Sequence, residues 1–255
     1  MKNIKIIIVL FTAFAALNLM SCGGDEPDPK DEPKPAKLTI EAVVSDGVAD
    51  HMINEVFKDQ EGINVKILIL KFYLANISIT TNDGFVLHLS EMELLDFKPF
   101  DENINTPQWR NEKTYEIPVG GYSSISFGVG VPAELNDEDP ATFPNQDPLS
   151  VYSNMYWNWA SMYRFIILEA EMDTIGDGDF DHDLIFHTGL DDLYRKDVQF
   201  DIDLNAKADK AYTLTLKIDW NTLFYNESNP IAIKKEHITH TTETDDDFDL
   251  AKRFT

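Results

Sequence analysis

Side chains able to do chemistry fall into two blocks and a tail. Residues 155–165 read Met-Tyr-Trp-Asn-Trp-Ala-Ser-Met-Tyr-Arg-Phe, so two of the four Trp residues, Trp157 and Trp159, stand two apart between Met155 and Met162. Alternate residues of an extended segment point the same way, which would put both indoles on one face. Such a cluster is either an apolar anchor or a place where soft, electron-rich groups meet a ligand or metal. Core packing is the commoner fate of aromatic pairs, and gap filling that of Met. Imidazole donors follow at His187, His237 and His240. The last two are three apart and would share a face on a helix or turn. Alone, that spacing is a weak metal signal, with hydrogen bonding to a loop as the ordinary role.

The second block, residues 173–183, reads Asp-Thr-Ile-Gly-Asp-Gly-Asp-Phe-Asp-His-Asp. Alternating Asp177, Asp179, Asp181 and Asp183 in a Gly-containing loop can converge hard oxygens on calcium. No starting Asp gives both the Gly at position six and the Glu at position twelve of an EF-hand, so a solvated acidic turn is the competing reading. If calcium binds, it fixes the turn that presents His187. His182, among acids, is expected on the surface. The chain has no Gly-x-Ser-x-Gly elbow, phosphate loop or His-Glu-x-x-His, and nothing selects a glycosidase pair from its many carboxylates. A non-enzymatic role is expected.

The elements that must position these groups are strands. Residues 38–44 alternate in part. Residues 65–81 form an apolar run too long for one flat strand without a bend. Asn82-Asp83-Gly84 marks a hairpin turn into residues 85–89, with His88 on the surface. In 122–131, Ile125, Phe127, Val129 and Val131 oppose Ser124, Ser126, Gly128 and Gly130. A face of small residues admits a backbone or ring closely, and the aromatic block is one candidate to lie on it. Residues 163–172 read as another strand. Val198, Phe200, Ile202 and Leu204, then Tyr212, Leu214, Leu216, Ile218 and Trp220, alternate as half-exposed antiparallel strands. Residues 97–113 and 135–150 are long loops by composition. Residues 244–254 fit a helix, with acids at its positive dipole end and bases at the other. The fold class that results is all-β: an antiparallel β-sandwich with long loops and one or two short helices.

The amino terminus reads as an export signal. Lys2 and Lys5 precede an apolar run, residues 6–17, too short for a lasting membrane span. It ends Leu19-Met20-Ser21-Cys22, which resembles a lipoprotein cleavage box. The expected organisation is a signal peptide over 1–21, a lipidated Cys22 with an acidic, Pro-rich tether over 22–37, and one domain over 38–255. Cys22 is the only Cys, so it has no internal disulfide partner. Multiple acyl chains hold a protein firmly at a membrane. An acidic stretch directly after the lipid Cys resembles the export signal of surface-displayed lipoproteins, so an outer-membrane lipoprotein facing the periplasm or the cell surface is expected. The formal charge of −24 becomes −26 once Lys2 and Lys5 leave with the signal. That excludes nucleic acid as a partner, because phosphate affinity rests on Lys and Arg. It favours cation attraction.

Residues 72–78 (Phe-Tyr-Leu-Ala-Asn-Ile-Ser), the Asn-Asp-Gly turn, the Gly-Tyr strand at 121–131, the Trp block and Phe186-His187-Thr188-Gly189 resemble, in order and spacing, the MbnP-like family. Its members are bacterial periplasmic or lipid-anchored proteins related to copper-binding partners of methanobactin loci. The resemblance spans residues 38–255 and implies a copper site of His imidazoles with a Trp, which in copper-binding relatives a partner di-haem enzyme oxidises to kynurenine. Trp157 and Trp159 match the family's Trp-x-Trp, and His187 the His of its Phe-His-Thr-Gly segment. Kynurenine offers an aromatic amine where an indole has no free lone pair, and copper(I) favours imidazole and thioether donors. Two positions depart from the pattern. Asn136-Asp137 stands where relatives carry Asn-His, and Met162-Tyr163 where they carry Gly-Tyr.

Two functional classes are therefore in play. One is a lipid-anchored copper capture or delivery protein using His187, His240, His237, Trp157 and Trp159, with the di-haem enzyme and an outer-membrane transporter as partners. The other is a surface lipoprotein that binds glycan through exposed aromatics, or a calcium-stabilised scaffold. Convergence of the imidazoles on one point distinguishes them.

Overall fold

The longest strand organises everything around it. The computed structural model describes residues 34–98, 110–157, 162–225, 227–241 and 245–255. Its strands are β1 (Ala36–Ser45), β2 (Asp50–His51), β3 (Val56–Lys58), β4 (Asn64–Thr81), β5 (Val86–Phe97), β6 (Asn111–Ile117), β7 (Gly120–Val129), β8 (Tyr156–Trp157), β9 (Met162–Asp173), β10 (His182–Gly189), β11 (Arg195–Ala206), β12 (Ala211–Asp219) and β13 (Ile238–Thr239). The helices are α1 (Ala133–Asn136), α2 (Trp220–Phe224) and α3 (Asp245–Phe254), with 3₁₀ turns at Pro140–Thr142, Val151–Ser153 and Asp191–Leu193.

β4 runs its full 18 residues as one strand because Asn76 takes a left-handed φ of 54°. The ladder to β5 slips between Ile77 and Ser78, and the ladder to β7 between Ala75 and Ser78. A bulge of this kind bends a strand and raises its twist. The first half of β4 pairs with β9 and the second with β7, so one strand serves two groups of neighbours. The larger sheet runs β11-β7-β4-β9-β10-β13, with β3 and β5 also on β4. The smaller sheet places β12 and β6 on β1 and adds β2 at the far end of β1. The result is the all-β sandwich. The turn between β4 and β5 closes at Asn82-Asp83-Gly84 as expected, with Gly84 at φ 89°, and His88 lies exposed on β5.

Three expectations need correction. β12 pairs with β1 in parallel, in register from Lys37–Ala211 to Ser45–Asp219, and not antiparallel. The period-2 pattern of β12 fixes which residues face inward but carries no information on direction. Trp220 leaves the strand: it opens α2, capped by Asp219, whose carboxylate accepts from Asn221 N. Its ring is 1% exposed, buried against Phe57 and Phe224. Residues 111–113 belong to β6 and not to a loop; residues 99–109 of that stretch lie outside the described residues. The small-residue face of β7 receives rings as expected, one of them Phe165 of the aromatic block, while Trp157 lies against His187 and His240. A Cβ at Gly128 would meet the Tyr194 ring, and one at Gly130 would meet Phe165.

The loop over 135–150 is tied down by buried hydroxyls. Tyr73 donates to Pro148 O at 2.8 Å and Tyr163 to Leu149 O at 2.6 Å. Each such bond stabilises by about 1 kcal/mol net, but leaving either partner unpaired costs more. Between the sheets lies a cavity of about 550 Å³, lined by residues including Leu70, Phe72, Phe127, Phe200 and Leu216.

Candidate metal centre

His187 sits in the second half of β10, and the period of that strand sends neighbouring side chains to opposite faces. Phe186 enters the core, fully buried against Phe224 and Phe254. His187 therefore faces the other way, where Glu169 on the adjoining strand shares its side. His187 pairs with Ile167 and Glu169 with Ile185, so the two side chains are diagonal neighbours. His187 Nε2 lies 2.8 Å from Glu169 Oε1. An ionised carboxylate only accepts, so the proton sits on Nε2 and the Nδ1 lone pair is left free.

A short strap delivers the second imidazole. β13 pairs in parallel with β10, Ile185 to Ile238 and Phe186 to Thr239. Thr241, at φ 51°, donates its hydroxyl to His187 O at 2.7 Å. Thr239 donates to Asp247 O at 3.0 Å, and His240 N donates to Asp247 Oδ1 at 3.1 Å, which ties the strap to α3. The outcome is a separation of 3.3 Å between the Nδ1 atoms of His187 and His240. Two donors about 2.0–2.1 Å from one ion, at a tetrahedral angle, stand about 3.4 Å apart. The pair is thus spaced to share a cation. Without one, His240 Nδ1–H can donate to the lone pair of His187.

Trp157 closes the site. Its ring centroid is 5.2 Å from that of His187 at an edge-on angle of 77°, and 5.7 Å from that of His240. It is positioned by the short ladder of β8 on β9, Tyr156 to Tyr163 and Trp157 to Met162. That ladder is anchored by Asn136, which is buried. Asn136 Oδ1 accepts from Tyr163 N at 3.0 Å, and its amide donates to Asp191 Oδ1 at 2.9 Å. Asp137, which stands in place of the imidazole the resemblance led one to expect, is exposed. Arg164 lies over the indole, Cζ 4.6 Å from the ring centroid. Its Nε donates to Met155 O at 3.4 Å, and an Nη donates to Asn154 O.

Burial holds the His187 pKa below the usual 6.5; Glu169 opposes that shift, while Arg164 and His240 reinforce it. The unfolded chain takes up a proton at this residue before the folded protein does, so its contribution to stability falls as pH drops below 6.5. At neutral pH the ring is uncharged and its lone pair is available.

The other sequence-derived site residues are placed differently. His237 and His240 flank β13 and do not share a face: His237 Nδ1 donates to Asp183 O at 2.8 Å, away from the pair. Met155 is fully buried. Met162, at φ 58°, receives the Tyr156 hydroxyl on its sulfur at 3.4 Å. Trp159 lies outside the described residues, as does Cys22. In the acidic loop the organising residue is Asp173, which the alternating set omits. Its carboxylate accepts from Gly176 N, Asp177 N and Gly178 N at 2.6, 3.2 and 3.0 Å, and from the Asn64 amide at 2.9 Å. Asp177, Asp179, Asp181 and Asp183 are exposed, and Asp181 is paired with His182 Nδ1. Among the described residues, no group of three or more His, Cys, Asp or Glu side chains is placed to hold a metal ion. At the imidazole pair, then, these residue types supply two donors. That low count suits a soft monovalent ion with few ligands better than calcium or zinc.

Sequence reasoning passed over Glu169 and Arg164. The signal was present: both are charges in a strand whose neighbours Phe165, Ile166, Ile167 and Leu168 are buried on both faces, and a charge there needs a partner.

A family model described as MbnP matches residues 33–243. Among solved structures, MbnP from Methylosinus trichosporium is similar at 15% identity over 77% of this chain and 79% of that one, with a TM-score of 0.48. None of the curated proteins matches.

Proposed function

The chain belongs to the MbnP family, and on that premise we propose that it is an extracytoplasmic copper-binding protein that captures or delivers the ion. His187 and His240 hold copper(I) through their Nδ1 atoms, beside Trp157. The observation that carries the reading is the 3.3 Å separation of two imidazole nitrogens drawn from β10 and from the strap after β13. Glu169 fixes one of them in the tautomer a metal requires. Trp157 is edged by both imidazoles, and Arg164 occupies an indole face on which a sugar ring would otherwise stack.

Copper is cargo in this reading, and the protein's work is to present lone pairs and exclude water. The two imidazoles leave room for a third donor. Conversion of Trp157 to kynurenine by a di-haem partner supplies an aromatic amine at that edge. Lipidation of Cys22 keeps the protein at the outer membrane, within reach of a transporter that receives the ion. Protein purified from its native host is expected to contain copper near one equivalent. It is also expected to show a mass about 4 Da above that calculated from the sequence, on a peptide containing Trp157. Native protein free of copper, with unmodified Trp157 and no uptake of added copper(I), would remove the reading.

A further inference from the structure

We infer that Arg164 determines the charge of the ion the imidazole pair accepts, setting the site for a monovalent cation against a divalent one. The inference rests on the copper reading above but concerns a residue that reading does not use to hold the ion. Arg164 is the cationic side chain that lies on the ring of Trp157, whose other ring neighbours include both imidazoles. Its position is fixed rather than swept through solvent: the guanidinium is half-buried and bonded to the carbonyls of Asn154 and Met155. Arginine does not shed its proton in a protein.

The opposing charge is limited. Glu169 offers one carboxylate, and its Oε1 is engaged with the far nitrogen of His187, not with the metal side. Asp247 gives an oxygen to the backbone of His240. A second positive charge on the bound ion therefore meets Arg164 with no further carboxylate among the described residues placed to ligate it. Repulsion from a fixed unit charge is twice as large for a divalent ion as for a monovalent one. At an effective dielectric near 20 and several ångströms, the difference amounts to about 10- to 100-fold in relative affinity.

Copper itself provides the test, because its two oxidation states differ by the charge in question. Affinities for copper(I) and copper(II) are measured separately, by competition with bicinchoninate under anaerobic reducing conditions and with nitrilotriacetate in air. Arg164→Gln is expected to raise copper(II) affinity relative to copper(I) by at least about tenfold, equivalent to a fall of about 59 mV in the potential of the bound couple. Arg164→Lys keeps the charge and is expected to keep the wild-type ratio. It serves as the control for the lost Asn154 and Met155 bonds, and thermal melts of both variants check folding. An unchanged ratio in Arg164→Gln, or an equal change in Arg164→Lys, overturns the inference while leaving copper binding intact. If Arg164→Gln fails to fold, the wild type and Arg164→Lys decide: a wild-type preference for copper(II), or a changed ratio in Arg164→Lys, overturns it. Failure of the wild type to bind copper(I) at all overturns the function proposed above and this inference with it.

Discussion

Two regions of this molecule advertise metal binding in sequence, and they are built on opposite principles. The acidic loop over 173–183 gathers five Asp into eleven residues, yet its one buried carboxylate, Asp173, is spent on three loop amides and an Asn side chain. The remaining acids face solvent. The imidazole pair gathers two His from positions 53 apart, and strand pairing brings their lone pairs together in a partly buried site. Density of ligand types along a chain measures how a loop closes. A metal site needs donors from separate segments, aimed at one point and stripped of competing partners.

His187→Ala should lower copper(I) affinity by more than about 100-fold, beyond the range expected for a residue that merely orients a ligand. A paired Asp177→Asn and Asp179→Asn change should leave it within about twofold, since both side chains are exposed and, among the described residues, neither bonds to the imidazole pair. Competition titration of both proteins compares the regions directly; the reverse order would mean that the loop is the binding site. Glu169→Gln keeps an acceptor but loses the charge that holds the proton on Nε2, and should cost about tenfold in copper(I) affinity.

Asp173→Ala should lower the melting temperature by about 2–6 °C through unpaired loop amides, with no recovery on adding calcium. Recovery with calcium would show that the neighbouring acids can assemble an ion site after all. The Asn64 bond and the loop amides hold the Asp173 carboxyl below its usual 3.8, against a contrary effect of burial. A depressed carboxylate stabilises above its ordinary value, and that contribution is lost as pH falls through 3.8 and below. Acid titration of wild type and Asp173→Ala should therefore converge at low pH. The smallest effect is expected at His237→Ala, which removes an imidazole but not a donor of the pair. Copper(I) affinity should stay within about twofold, and a large loss would show that the strap rearranges to bring His237 inward.

The parts of this architecture that were legible in sequence are those written at short range. The alternation in β7, β11 and β12, the Asn82-Asp83-Gly84 turn and the charge-graded α3 each follow from residues a few positions apart. His187 and Trp157 were legible too, through their types and their neighbours. The direction of β12 was not, because a period of two is the same read either way. Nor was the divergence of His237 and His240, because a spacing of three implies a shared face only on a helix or turn, and the strap pairs as a strand instead. Glu169 and Arg164 acquire their roles only once β9 lies beside β10 and β8 folds back on β9. Tertiary pairing of that kind leaves no local pattern beyond an unexplained charge in an apolar strand.

X-ray absorption at the copper edge, on copper(I)-loaded wild type and on the His240→Ala variant, reads the ligands themselves. Two imidazole nitrogens are expected about 2.0 Å from the metal in the wild type, and the loss of one of them in the variant. A first shell built only of oxygen or sulfur, or a spectrum that does not change when His240 is removed, would contradict a copper site at the imidazole pair.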